Sequence, residues 1–191
     1  QNFKINILDV PGAGDFSGEL YSALNVVESS VLFVDSDFGV EIETEKCWDL
    51  LEKINMPRVI MVNKMDKERA DFDKVIEDLR QKLGNNIVPV EIPVFENNKF
   101  MGIIDVFDGK YYHFSKNGLV VEDSIPPHFQ ERFNKERDEL LNAADTHLTN
   151  FQILNDEEKF KAIMSCEPPE IISVLGRYVY ACLDKRSKIS S

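Results

Sequence analysis

Asn63-Lys64-Met65-Asp66 follows directly on the apolar run Val59-Ile60-Met61-Val62. A carboxylate at Asp66 can accept two hydrogen bonds from the N1–H and the exocyclic N2–H of guanine, a donor pair that adenine lacks. Asn63 can reach the other edge of a purine, and the stem of Lys64 can cover the ring face. Such a pairing discriminates strongly, because the wrong base leaves buried polar groups without partners. Taken alone, a four-residue string of this kind also reads as a polar loop after a strand. Asp9-Val10-Pro11-Gly12 adds to it, 54 positions before Asn63. Asp9 at a strand end can hold Mg²⁺ through water. The backbone N–H of Gly12 can approach a terminal phosphate because no Cβ intervenes. Alone, this Pro-Gly pair would only shape a turn. The two strings at successive strand ends are far more specific together than separately.

Two other phosphate or cation readings compete for the same stretches. Gly12-Ala13-Gly14-Asp15-Phe16-Ser17 falls one small residue short of the dinucleotide fingerprint G-x-G-x-x-G. Asp35 ends the next apolar run about where a ribose-binding acid belongs. Against a dinucleotide-binding Rossmann-type enzyme, Asp9 and Pro11 intrude between the strand and the first glycine, and Asn63 to Asp66 stay unexplained. Asp35-Ser36-Asp37 resembles the start of a calcium loop. However, Gly39 comes one place early and Lys46 stands where a bidentate Glu is needed, so a solvated strand-end loop is the better reading. His113, His128 and His147 have no metal-ligand spacing.

The elements that must position these residues alternate in type. Phe3 to Leu8, Val31 to Val34 and Val59 to Val62 read as strands, the latter two short, apolar and buried. Helical spacing of apolar residues runs from about Glu19 to Glu28, Thr44 to Ile54 and Asp71 to Leu83, with Gly84 placed to end the last. Trp48 reads as packing within the second helix. Ile87 to Ile92 reads as the next strand, pushed toward a sheet edge by Pro89. Strands joined by amphipathic helices argue for a parallel, doubly wound α/β sheet. Ligands bind such sheets beyond the carboxyl ends of the strands. Those ends are Asp9-Val10-Pro11-Gly12, Asp35-Ser36-Asp37 and Asn63-Lys64-Met65-Asp66.

The pattern changes after about Val94. Phe100 to Phe107, Lys110 to Phe114 and Leu119 to Glu122 read as short antiparallel strands joined by Asp108-Gly109 and Asn117-Gly118 turns. Pro126-Pro127 opens a long helix to about Leu148. Its apolar stripe holds Phe129, Phe133, Leu140, Leu141, Ala144 and Leu148, and its charged face from Glu131 to Glu139 reads as solvated. Asn155-x-x-Glu158 has the form of a capping box, and Ile171 to Leu183 is very apolar. The second half is therefore α+β.

Composition sets outer bounds. The 191 residues are 43% hydrophobic and 29% charged, an ordinary globular balance. Lys and Arg number 22 against 34 Asp and Glu, a net charge of −12. That charge disfavours bare DNA and anionic membranes at long range. Cys47, Cys166 and Cys182 are odd in number and lack a C-x-x-C spacing, which fits a reducing compartment. No run of 18 apolar residues and no signal-peptide pattern occurs. The chain starts at Gln1 and enters an apolar run at once, which reads as a piece of a longer protein.

Asp9-Val-Pro-Gly, Asp15-Phe16 and Asn63-Lys-Met-Asp resemble the translational GTPases, elongation factor G and its elongation factor G-like bacterial branch above all. Ser22-Ala-Leu, Gly39-Val, Thr44-Glu-Lys, Pro57-Arg, Ala70-Asp-Phe, Pro89-Val and Gly102 with Asp105 fall where that family has similar stretches. The likeness runs over about residues 3–145. It implies an α/β fold: a truncated P-loop-GTPase-type parallel sheet with an inserted α+β subdomain. Residues 1–94 would be the distal part of the G domain, and residues 95–191 the inserted subdomain with C-terminal helices.

The resemblance also implies GTP and Mg²⁺ as cofactors, the ribosome as partner through the parent protein, and a cytoplasmic setting. Asp9, Val10, Pro11, Gly12 and Ala13 would lie at the phosphates, with Asp9 serving Mg²⁺ and Gly12 the γ-phosphate. Asn63, Lys64, Met65 and Asp66 would hold the base. Three departures stand out. The chain contains no P-loop G-x-x-x-x-G-K-[S/T] and no switch segment carrying the family's Mg²⁺-binding Thr. Ala13 occupies the position of the family's water-orienting His, so hydrolysis through that residue is in question. A ribosome-binding relative that binds GTP and hydrolyses it poorly is the alternative that Ala13 raises. The isolated chain is expected to be inactive.

Overall fold

The computed structural model describes residues 6–115, 117–145 and 179–180. A 3-10 turn (Gly14–Phe16) leads into helix α1 (Ser17–Leu24). Strand β1 (Ser30–Asp35), helix α2 (Ile42–Lys53), strand β2 (Arg58–Asn63) and helix α3 (Phe72–Leu83) follow in alternation. Next come strands β3 (Glu91–Glu96), β4 (Lys99–Asp105), β5 (Lys110–Phe114) and β6 (Val120–Asp123). A 3-10 turn (Pro127–Phe129), helix α4 (Gln130–Asp145) and strand β7 (Val179–Tyr180) complete the described elements.

Two sheets result. The first is parallel, in the order β1-β2-β7. Its register pairs Ser30 with Arg58 and, at the other end, Asp35 with Asn63. The second is antiparallel, in the order β3-β4-β5-β6. The sequence pattern of alternating strands and helices thus reads correctly as a parallel sheet, and the later short strands as an antiparallel one.

Strand alternation decides which side chains enter the first core. Val34, Ile60 and Val62 are buried together with Trp48 of α2 and Phe72, Val75, Ile76 and Leu79 of α3. Trp48 packs as expected, with the Arg58 guanidinium 4.0 Å above its ring. The opposite face of β1 is open: Val31 is 48% and Phe33 57% exposed. The start of α2 is held by a reciprocal cap between Glu41 and Thr44, and that of α3 by the Asp71 side chain accepting from the Lys74 N–H. Gly39 sits at φ +69, where a Cβ would lie 2.7 Å from Asp78 Oδ2. That oxygen accepts the Val40 N–H at 2.7 Å, so α3 and the loop after β1 meet only because residue 39 lacks a side chain.

The second core gathers Val88, Val90, Ile92, Val94, Ile104 and Val106 against Phe133, Leu140 and Leu141 of α4. Gly102 lets β4 and β5 approach, since a Cβ there would stand 2.1 Å from the Tyr112 carbonyl oxygen. Phe95 and Phe100 meet edge to face, 5.5 Å apart, and pack against the first core, joining the two.

Four expectations are corrected. The strand read from Phe3 to Leu8 does not form over the described residues 6–8, where Ile7 is 86% exposed. A strand needs a hydrogen-bonded neighbour, and among the described residues this stretch has none. The strand read from Ile87 to Ile92 starts instead at Glu91 and belongs to the antiparallel sheet. It is an edge strand there, which accommodates Pro93 without a ladder N–H. The charged face of α4 is not simply solvated: Arg132 pairs with Asp73, Arg80 with Glu139, and Glu136 is buried. Finally, the loop after β1 is not a solvated one, because Ser36 is 2% exposed. The readings on residues 146–178 and 181–191, among them the Asn155 capping box and most of the apolar segment from Ile171, lie outside the described residues.

Candidate functional site

The carboxyl ends of β1 and β2 lie side by side, because the parallel register puts Asp35 next to Asn63. The chain then turns sharply at Lys64, which adopts φ +62, a left-handed conformation unusual for a side chain with a Cβ. Several bonds hold this turn. Asn63 Oδ1 accepts the Lys64 N–H at 2.8 Å. Ser36 N–H donates to the Asn63 carbonyl at 3.0 Å, and Ser36 Oγ donates to the Lys64 carbonyl at 2.7 Å. The Lys67 N–H reaches the same carbonyl at 3.1 Å. Met65 is driven into the first core, 4% exposed, so the residues on either side of it are turned outward. Asp66 is exposed, and among the described residues its carboxylate has no hydrogen bond or ion pair.

Electrostatics focus on Asp35. Its carboxylate takes Lys64 Nζ at 2.6 Å, Lys67 Nζ at 3.1 Å and the Asp37 N–H at 2.9 Å. Burial works to raise its pKa, but the bonds from Lys64, Asp37 and Lys67 outweigh it and bring the pKa down to about 2. The same pairing raises the pKa of Lys64. Lys67 also lies 5.3 Å from the centre of the exposed Phe38 ring.

Residues 9–13 behave differently. Asp9, Pro11, Gly12 and Ala13 are exposed and Val10 is half-buried, in a stretch without regular structure. A Cβ added at Gly12 would meet nothing within 4 Å. Among the described residues no hydrogen bond or ion pair joins residues 9–13 to residues 63–66. The structure thus brings Asn63, Lys64, Met65 and Asp66 together with Asp35 and Ser36, and among the described residues joins Asp9 to Ala13 to them by no hydrogen bond or ion pair.

The side-chain chemistry fits the base end of a guanine nucleotide: at one strand end stand an Asp66 carboxylate without a partner among the described residues, an amide at Asn63 and a long apolar stem at Lys64. Asp9, a single exposed carboxylate, fits a Mg²⁺ ion that takes its remaining ligands from water and phosphate. Among the described residues no group of three or more His, Cys, Asp or Glu could hold a metal ion by itself. None of the described helices is long and apolar enough to cross a membrane.

Sequence reasoning placed Asp35 and Ser36 at a strand end but missed their bonds to the Asn63 loop. The available signal was an acid ending one buried strand and two lysines following the next.

This parallel sheet, with its polar strand ends, is of the P-loop GTPase type, and comparison with known proteins specifies the kind. Residues 1–171 match the family described as "Elongation factor Tu GTP binding domain", and the chain belongs to that family. It is 35% identical over 181 residues to elongation factor G 1 of Syntrophomonas wolfei, covering 93% of this chain and 27% of that protein. It is 38% identical over 143 residues to elongation factor G of Thermotoga maritima, covering 74% of this chain and 21% of that protein. An elongation factor G-like protein of Thermotoga maritima is 35% identical over 138 residues, covering 72% of this chain and 20% of its own length. A crystal structure from Thermus thermophilus aligns with a TM-score of 0.71 at 31% identity, over 93% of this chain and 27% of that one. The chain therefore spans about a quarter of the length of these relatives.

Proposed function

We propose that this chain is the base-reading part of a guanine-nucleotide-binding domain in a translational GTPase of the elongation factor G type. In this reading residues 1–94 are the distal part of the G domain and residues 95–191 the inserted subdomain. The observation that carries it is the Asn63–Asp66 turn, with Met65 sunk in the core and the Asp66 carboxylate exposed at the end of β2. Asp66 accepts from guanine N1–H and N2–H, Asn63 meets the other edge of the purine, and the Lys64 stem covers its face. At the phosphates, Asp9 would hold a Mg²⁺ ion through water, and the Gly12 N–H would face the terminal phosphoryl oxygens. Mg²⁺ supplies neutralisation of phosphate charge. In the whole protein, cleavage of the nucleotide would be coupled to a step of translation on the ribosome, in the cytoplasm.

The test is a titration of the ¹⁵N-labelled chain with GMP and with AMP, followed by amide shifts. GMP is expected to move Asn63, Lys64 and Asp66, and AMP to move them far less. Equal responses to both nucleotides would remove the guanine reading.

A second reading is favoured by Ala13. The family's His at that place orients the attacking water, and a methyl group neither polarises nor positions water. The protein would then bind GTP on the ribosome and hydrolyse it slowly. Replacing Ala13 with His in the ribosome-bound full-length protein should raise single-turnover hydrolysis and leave GTP affinity nearly unchanged, because the gain belongs to the transition state. An unchanged rate would show that another group positions the water.

A further inference from the structure

Lys64 occupies a costly backbone conformation and yet sits in the middle of the base-reading turn. A non-glycine residue at positive φ persists only where surrounding bonds over-determine it. Here local bonds from Asn63 and Lys67 are joined by others from outside the turn. Ser36, almost fully buried, holds the backbone on both sides of Lys64: its N–H donates to the Asn63 carbonyl and its hydroxyl donates to the Lys64 carbonyl. One residue earlier, Asp35 takes the Lys64 ammonium at 2.6 Å. Backbone and side-chain tip of the same lysine are thus gripped by two consecutive residues of a neighbouring strand end.

A free lysine side chain samples many rotamers and loses that freedom when it covers a ligand. Fixing the ammonium beforehand removes part of that loss and directs the four-carbon stem. Lys67, bound to the same carboxylate, keeps Asp35 from swinging away.

We propose that Asp35 and Ser36 are positioning residues for guanine recognition: Asp35 holds the Lys64 side chain, and Ser36 the Lys64 backbone, in the arrangement that meets the base. This inference rests on the guanine reading of Asn63 to Asp66. It assigns to the end of β1 a role in base selection that touches no nucleotide atom.

The test is a double-mutant cycle on GMP and AMP affinity, measured by amide shifts in the 191-residue chain, with Asp35→Asn and Lys64→Met. Asparagine keeps the shape of Asp35 and its bond to Asp37 but gives up the charge that holds the ammonium. Methionine keeps most of the apolar stem and removes the ammonium. Asp35→Asn is expected to weaken GMP about fivefold and to change AMP by less than about twofold. In the Lys64→Met background the same change should weaken GMP by less than about twofold, because the group through which Asp35 acts is already gone. A merely structural role would produce the same loss in both backgrounds and would overturn the proposal. Unchanged or tighter GMP binding in Asp35→Asn would overturn it as well. If Asp35→Asn does not fold, Lys64→Met decides from the other side: an unchanged GMP affinity in that variant overturns the proposal. Wild-type chain with no preference for GMP overturns the guanine reading and this inference together. A clear preference that the variants leave intact overturns this inference alone.

Discussion

Arg80 and Glu139 are joined by a 2.9 Å bond across two helices, and the same guanidinium donates through Nε to the Ile87 carbonyl at 2.9 Å. One side chain therefore ties together α3, the segment that leads into β3, and α4. Ile87 is 1% exposed, so its carbonyl would lose this partner in a poorly solvated place. Arg80→Ala should lower the unfolding free energy by about 1–2 kcal/mol, more than an exposed ion pair would account for. Urea denaturation checks it; a loss no larger than that of Glu139→Ala would mean that the Ile87 bond contributes nothing.

Beside this pair, Glu136 is buried, and its Oε2 has no hydrogen bond among the described residues. Burial raises its pKa, the Glu139 carboxylate adds to this, and Arg132, Arg80 and Lys135 oppose it. The folded chain therefore holds this proton more tightly than the unfolded one. The stabilising contribution is full below the unfolded pKa and is lost as pH rises through the folded pKa. Glu136→Gln is expected to be more stable than wild type at neutral pH, with the difference shrinking in acid. Equal urea midpoints at both pH values would disprove the burial penalty.

Asp35 has the opposite sign. Its pKa falls from the ordinary 3.8 to about 2, so its contribution is present above 3.8 and is lost as pH falls through about 2. After allowance for solvent screening this is on the order of 1 kcal/mol. Asp35→Asn should flatten the acid limb of the stability curve between those two values. A limb as steep as that of wild type would assign the slope to other carboxylates.

Asp66 carries the base preference in the proposed reading. Asp66→Asn turns an acceptor pair into one acceptor and one donor, which suits xanthine better than guanine. In competition between GTP and XTP on the full-length protein, preference should move toward XTP. Unchanged preference would take Asp66 out of the base site.

The 191-residue chain alone should bind GTP only weakly. In the proposed reading it offers a few hydrogen bonds to the base, each worth about 1–3 kcal/mol at most. Asp9 and the net charge of −12 oppose the triphosphate. Calorimetry with Mg²⁺ should give a dissociation constant of roughly millimolar or weaker and no hydrolysis. Micromolar affinity would mean that residues read as structural, Gly12, Gly14 and Gly18 first, build a phosphate site.

Much of this was legible in the sequence, for a physical reason. The Asn63 turn is local, so its residue types and the preceding apolar run announce it. The periodic spacing of α2 and α3 likewise shows which faces are buried. What was not legible depends on pairing. Phe3 to Leu8 has strand composition, but a strand exists only with a neighbour, and the described residues 6–8 have none among the described residues. Ile87 to Ile92 alternates well, yet its pairing with β4 moved the strand to Glu91 and into the other sheet. The grip of Asp35 and Ser36 on Lys64 arises from register between strands that are distant in sequence, and no local pattern encodes it.

The open face of β1 has a practical consequence for anyone handling the chain in solution. Val31 and Phe33 make an adhesive patch on a molecule whose surplus of acids drives copies apart. In dilute buffer the repulsion acts over tens of ångströms and keeps the patches from meeting. At about 0.1 M salt it fades within roughly 10 Å, and apolar contact takes over. Colloidal behaviour is thus set by ionic strength, and salt that protects many proteins would here promote clustering.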